Sequence, residues 1–331
     1  MYELSRKTLI IVSCLMLSKI LHLSIGVYIV LFAIILANMS YSKHIPDLIK
    51  LLIPSITAAI GAAFFNEFFS THPFIIWTGC MLYFDHVRRR AITNMHIRQA
   101  TLPLFMIIFV TTYHNSSDYS LLVPTFIRDI LVNTLVAVLI TSFINHIMPI
   151  RAKVIKPTIV FQPVTGSDRL KLLLLVGGGL AFIMINEVTS AVFCLVPLVT
   201  SAMQSTHREM KNHSLEKILS QTGGCSLAMI VSMIYSGTEI SLFNYFIISF
   251  VLVYVLLFLA HYSEVKERAI HADALMGFLI PYQLYVAGNS STFGLNSIAL
   301  RAVELFIVLV IIYVVAHWLD LLGKTPSAES Q

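Results

Sequence analysis

The side chains of this sequence best placed to do chemistry are charged residues set inside long apolar stretches. Arg128 lies in Phe126-Ile127-Arg128-Asp129-Ile130 and Arg301 in Ala299-Leu300-Arg301-Ala302-Val303-Glu304, each near the start of a long apolar run. A guanidinium carries a permanent charge and a planar fork of donors that matches a carboxylate, so this pair is expected to bind a small-molecule anionic substrate. The competing expectation is local: an arginine at a helix end reaches for headgroups or pairs with a neighbour, here Asp129 or Glu304. Lys19 is the third such cation, embedded in Cys14-Leu15-Met16-Leu17-Ser18-Lys19-Ile20-Leu21. An ammonium at membrane depth costs about 2.5 to 3.5 kcal/mol, so it needs a partner, water, the nearby interface or a purpose; substrate binding is the purpose assigned to it.

Proton-driven transport needs a carboxylate whose pKa is raised by desolvation, and Asp85, Glu187 and Glu304 are the candidates for proton coupling. Asp85 is flanked by His86 and Arg88, so a structural ion pair is the alternative for it. The histidines show neither HxxxH nor HExxH spacing, and no metal site is expected. No phosphate-binding loop, GxGxxG or GxSxG is present, which argues against an enzyme and gives no reason to expect a cofactor. Cys14, Cys80, Cys194 and Cys225 all lie in apolar stretches without paired spacing and read as small buried hydrophobes.

What must position these residues follows from composition. The 331 residues are 57% apolar and only 12% charged, with mean hydropathy +0.83, where a soluble chain carries roughly 25% charged residues. The fold class expected is all-α and polytopic in the membrane. Twelve apolar runs are read at 8–22, 25–40, 48–66, 73–86, 100–114, 126–148, 170–186, 188–204, 215–236, 241–262, 273–288 and 298–322. With both termini cytoplasmic, every Lys and Arg of the 22 except Lys19, Arg128 and Arg301 falls on the inner side, as the positive-inside rule requires. The net charge of +5 therefore reports orientation and gives no argument for a nucleic-acid partner. The first run reads as a span and not as a cleaved leader.

An internal repeat is the strongest organisational signal. Val87-Arg88-Arg89-Arg90-Ala91-Ile92 returns as Val265-Lys266-Glu267-Arg268-Ala269-Ile270, and Leu48-Ile49-Lys50-Leu51-Leu52 as Leu215-Glu216-Lys217-Ile218-Leu219. Arg128 and Arg301 open the corresponding last helices. The expected organisation is a six-helix membrane repeat over 1–150, a basic cytoplasmic linker over 151–168, a second six-helix repeat over 169–323 and a cytoplasmic tail over 324–331. Each half holds a small-residue stretch, marked by Thr57 and Gly61 in one and Gly223 and Gly224 in the other. Such stretches either let helices pack closely or line a path.

Two similar halves, each with a small-residue helix, resemble the fusaric-acid-resistance and aromatic-acid-exporter family of bacterial inner-membrane proteins. In that family the helix carries Arg-x-x-Gly-Thr-x-x-Gly. The corresponding stretches here, Gln221 to Ala228 and Pro54 to Gly61, replace the Arg by Gln and Pro and the Gly-Thr by Gly-Cys and Thr-Ala. The resemblance implies a short, divergent branch without the large cytoplasmic domain of longer members. It implies export of small amphiphilic or aromatic anions across the bacterial inner membrane, with a periplasmic adaptor (membrane fusion) protein as partner. Proton drive is expected because the chain carries no ATPase motif. An anion channel, a non-transporting scaffold subunit and a homo-oligomer stay open beside that reading.

Overall fold

The computed structural model describes residues 1–21, 23, 26–39, 42, 44–114, 123–150, 161, 163–186, 195–204, 207–235, 241–283 and the positions 298, 299, 302–304, 306–308, 310, 311, 313, 314 and 317. Among the described residues the regular structure is helical, beside one isolated antiparallel bridge between Thr93 and Phe161. The helices are α1 (Tyr2–Ile20), α2 (Val27–Met39), α3 (Ile45–Phe68), α4 (Pro73–Arg90), α5 (Asn94–His114), α6 (Val123–Ile147) and α7 (Gly166–Leu172). A π-turn, Leu173–Gly177, leads into α8 (Gly178–Asn186), followed by α9 (Leu195–Ala202), α10 (His207–Tyr235), α11 (Leu242–Tyr262) and α12 (Val265–Pro281).

The described parts of the apolar runs up to residue 288 fall largely on these helices, and several helices run further than the apolar pattern. α4 continues through Arg88, Arg89 and Arg90 in its last turn, where cations favour the negative end of the helix dipole. α10 starts at His207, two turns before the apolar run, because a helix satisfies its own backbone whether its side chains meet lipid or water. α3, α5, α6, α10 and α11 are each long and apolar enough to cross a membrane.

The outward faces say what surrounds them. On α11, Phe243, Ile247, Val251, Val255 and Leu259 recur every four residues and are all exposed, while Tyr245, Ser249, Val253, Leu257 and Ala260 form the buried stripe. α6 repeats the pattern with Leu131, Leu135, Leu139, Phe143 and Ile147 exposed. Apolar ridges of this length are foreign to a water-facing surface and fit hydrocarbon. The chain is an all-α, membrane-embedded protein.

The helices gather into two compact units, and each unit draws on both halves of the sequence. One comprises Met1–Gly61, Leu121–Lys156 and Leu219–Ala302; the other comprises Ala62–Ser120, Pro157–Ile218 and Val303–Gln331. In the first, α1 packs on α2 and α11, α11 on α12, and α2 on α6 and α12. In the second, the α7–π-turn–α8 segment packs on α9 and α4, α4 on α5, and α9 on α5. Apart from α6, which has no counterpart among the described helices of the second unit, the two lists match when α1, α2, α11 and α12 are paired in order with α7–α8, α9, α4 and α5. A lysine interaction repeats as well: Lys7 on α1 donates to Asn38 near the end of α2 (3.0 Å), and Lys171 on α7 donates to the Gln204 carbonyl just past α9.

Only part of the small-residue pattern is packing. A Cβ on Gly224 would stand 2.6 Å from the Ala274 oxygen and from backbone atoms of Gly277 and Phe278, so α10 and α12 touch backbone to backbone there. Cys225 Sγ donates to the Gly277 carbonyl (3.6 Å) and Gln221 Nε2 to the Asp273 carbonyl (3.2 Å) across the same crossing. Gly61 and Gly223 have nothing within 4 Å of a built Cβ. The exposed Thr57 donates its hydroxyl to the Ile53 and Pro54 carbonyls of its own helix. The expected close approach thus holds at Gly224 and not at Thr57, Gly61 or Gly223, which face away from neighbouring helices. We predict that Gly224→Ala lowers stability by about 2 to 3 kcal/mol while Gly223→Ala stays within about 0.5 kcal/mol, measured by thermal unfolding in detergent.

Candidate functional site

In the first unit a polar cluster forms where α1, α10 and α12 finish and α11 begins. Tyr245 opens the buried stripe of α11, and Tyr282 follows α12 directly; their rings stack 5.5 Å apart and nearly parallel, at 4°. Ser249, one turn after Tyr245, shares a hydrogen bond with the Tyr282 hydroxyl (2.9 Å). Lys19 holds its Nζ 4.7 Å from the centre of the Tyr245 ring. No carboxylate among the described residues lies within ion-pair reach of it. Below it, Gln283 Nε2 donates to Ser18 Oγ (3.0 Å), and Gly26 leaves room for that contact, since a Cβ there would stand 2.4 Å from the amide nitrogen. The cluster offers a positive charge, aromatic faces and hydroxyl donors in apolar surroundings. That is the inventory an aromatic anion needs.

In the second unit a charged cluster forms where α4 and α9 finish and α7 begins. Asp85 accepts Arg169 through both nitrogens of its fork (Nε 2.6 Å, Nη2 2.9 Å) and pairs with Arg89 (2.8 Å). Asp168 closes the start of α7: its Oδ2 accepts the Thr165 N–H (3.1 Å) and hydroxyl (2.8 Å), while Thr165 Oγ1 accepts the Asp168 N–H, a reciprocal cap. Lys171 (3.4 Å) and Arg88 (3.9 Å) approach the same carboxylate. Burial alone would raise the Asp168 pKa, but the Thr165 bonds and the charges of Lys171 and Arg88 hold it below its ordinary value. Close by, the Gly177 carbonyl at the end of the π-turn accepts the Trp77 indole N–H of α4 (2.9 Å).

The residues singled out from sequence are dispersed. Lys19 belongs to the tyrosine cluster. Arg128 is 66% exposed and spends Nε (3.0 Å) and Nη2 (2.8 Å) on Asp129, whose side chain is 5% exposed. The local alternative is therefore the arrangement found, and Asp129 is the buried member of the pair. Asp85, the proton-coupling candidate nearest a basic segment, is held by Arg169 and Arg89 instead of His86 and Arg88. Two guanidiniums stabilise its charged form, which suits structure better than proton exchange. Glu304 is half-buried in the short described helical stretch 302–304, beyond α12. Glu187, Arg301, Cys194 and most of the 151–168 linker lie outside the described residues.

Two buried arginines were passed over as inner-face charges. Arg6 is bonded to Glu3 (2.9 Å) and reaches Asn145 on α6, and Arg88 is fully buried. The signal was there: Arg6 continues the Ile10 and Cys14 stripe, and Arg88 the Ile76, Cys80 and Phe84 stripe, each in steps of four.

Among protein families, residues 6–144 match the model of a family described as Protein of unknown function (DUF2955). No curated protein and no solved structure matches the chain.

The Asp168 cap gives a pH prediction. A carboxylate with a lowered folded pKa stabilises above its unfolded value, about 3.9, and that contribution is lost as pH falls through the lower folded value. Wild type should exceed Asp168→Asn in stability by about 1 to 2 kcal/mol near neutrality. The gap should close below about pH 4, as read by unfolding at stepped pH.

Proposed function

We propose that this chain is a multi-pass exporter of small amphiphilic, aromatic anions in the bacterial inner membrane, driven by the proton gradient and working with a periplasmic adaptor. The observation that carries the reading is the Lys19 ammonium resting on stacked, buried tyrosines without a carboxylate partner among the described residues. A lysine in the last turn of a span that faces aromatic rings and no carboxylate among the described residues has the charge an anionic substrate would meet. Twelve spans with both termini cytoplasmic follow from the distribution of basic residues, which sets the tyrosine cluster toward the outer face. The matched packing of the two units supports duplication of a six-helix half, the architecture in which transporters place their sites. Divergence from the fusaric-acid-resistance signature leaves the substrate class resting on the Lys19 cluster.

The ion pairs at Asp85 and Arg128 favour a second reading, a scaffold subunit in which charges serve assembly alone. Growth of an efflux-deficient bacterium on a panel of aromatic carboxylic acids, with this chain and its adaptor expressed, separates the two. Wild type should protect, and Lys19→Gln should lower the tolerated concentration about tenfold, the equivalent of 1.4 kcal/mol of lost binding, at unchanged membrane abundance. Arg128→Ala should lower it less. Absence of protection with both proteins in the membrane contradicts export and leaves the scaffold.

A further inference from the structure

Among the described residues of the second unit, Arg88 is the arginine buried without any exposure, and it is incompletely bonded. Arg88 gives Nη1 to the Ala91 carbonyl (3.1 Å), while Nε and Nη2 donate no hydrogen bond. Those two groups form the edge of the guanidinium that binds a carboxylate with two parallel bonds. That edge approaches Asp168 at 3.9 Å, too far for a hydrogen bond, and the nearest oxygen already accepts twice from Thr165. Asp85 is committed to Arg169 and Arg89. Lys171, also buried, gives its ammonium to the Gln204 carbonyl and to the other oxygen of Asp168, with Glu209 acting on it from α10. Two buried cations thus share the Asp168 carboxylate, and the donor edge of one of them is left open.

A buried ionic donor is costly to leave unpaired, and the cost falls when an anion arrives. We propose that Arg88, with Lys171 beside it, forms an oxyanion site for the carboxylate of a small organic acid. α7, which carries Asp168 and Lys171, is joined to α8 through the π-turn, a looser register that occurs frequently at functional sites, and the Trp77 bond ties that turn to α4, the helix of Arg88. Taking this basic end as cytoplasmic makes it the place where an exported acid is first held. That assignment rests on the transport reading; the binding itself does not.

The test is binding, measured without flux, on the purified full-length chain in neutral-lipid nanodiscs. Thermal unfolding is followed against benzoate, inorganic phosphate and chloride at equal ionic strength, and again in nanodiscs containing phosphatidylglycerol. Benzoate should stabilise wild type saturably and beyond chloride. Arg88→Gln should weaken that binding at least tenfold, and Arg88→Lys, which keeps the charge and loses the fork, should weaken it less. Asp168→Asn should tighten it, because both cations lose their competing carboxylate. If Arg88→Gln fails to fold, Arg88→Lys and Asp168→Asn decide. Equal stabilisation by chloride and benzoate, wild-type affinity in Arg88→Gln, or no gain in Asp168→Asn overturns the site. A response confined to phosphate and phosphatidylglycerol overturns the carboxylate assignment in favour of a lipid headgroup.

Discussion

Hydrocarbon solvates neither peptide groups nor charges, and this fold is arranged around that fact. Each span must satisfy its backbone internally, so helices are what the chain forms. Lipid offers no hydrophobic drive between helices, so affinity among them comes from close packing and from polar contacts. Both devices are visible: the α10–α12 crossing at Gly224 and Gly277, where backbones touch, and the Arg6 bridge from α1 to Asn145 of α6. The apolar ridges of α6 and α11 are left on the outside because that is where their solvent lies.

The same constraint makes the polar residues informative. Arg128 and Asp85, which have carboxylate or guanidinium partners at hydrogen-bond distance, are explained by those partners. Lys19 and Arg88 are not explained in that way. One rests on aromatic faces and the other turns its donor edge toward a carboxylate that is already engaged. Lys19 has no carboxylate within ion-pair reach among the described residues, and Arg88 has only a long approach to Asp168, which Lys171 shares.

Much of the fold was legible in the sequence. Apolar runs located the helices because about fifteen to twenty-five residues of one character leave few alternatives, and basic residues marked the ends. The interleaving of the halves was not legible, since periodicity in helices that are apolar nearly all round does not say which face meets which neighbour. Lys19 stands out in the sequence as a cation inside an apolar run, but its tyrosine neighbours come from positions more than two hundred residues away. Arg88 was hidden by its company: in the run Arg88-Arg89-Arg90 only the step-of-four stripe from Ile76 separates the buried arginine from its exposed neighbours.

The most direct measurement of the central claim is uptake of a radiolabelled aromatic carboxylate by proteoliposomes holding the purified chain alone, with and without an imposed proton gradient. The account predicts saturable movement that the gradient accelerates and that Lys19→Gln slows. Uptake no faster than in protein-free liposomes, from protein shown to be folded and inserted, would contradict it.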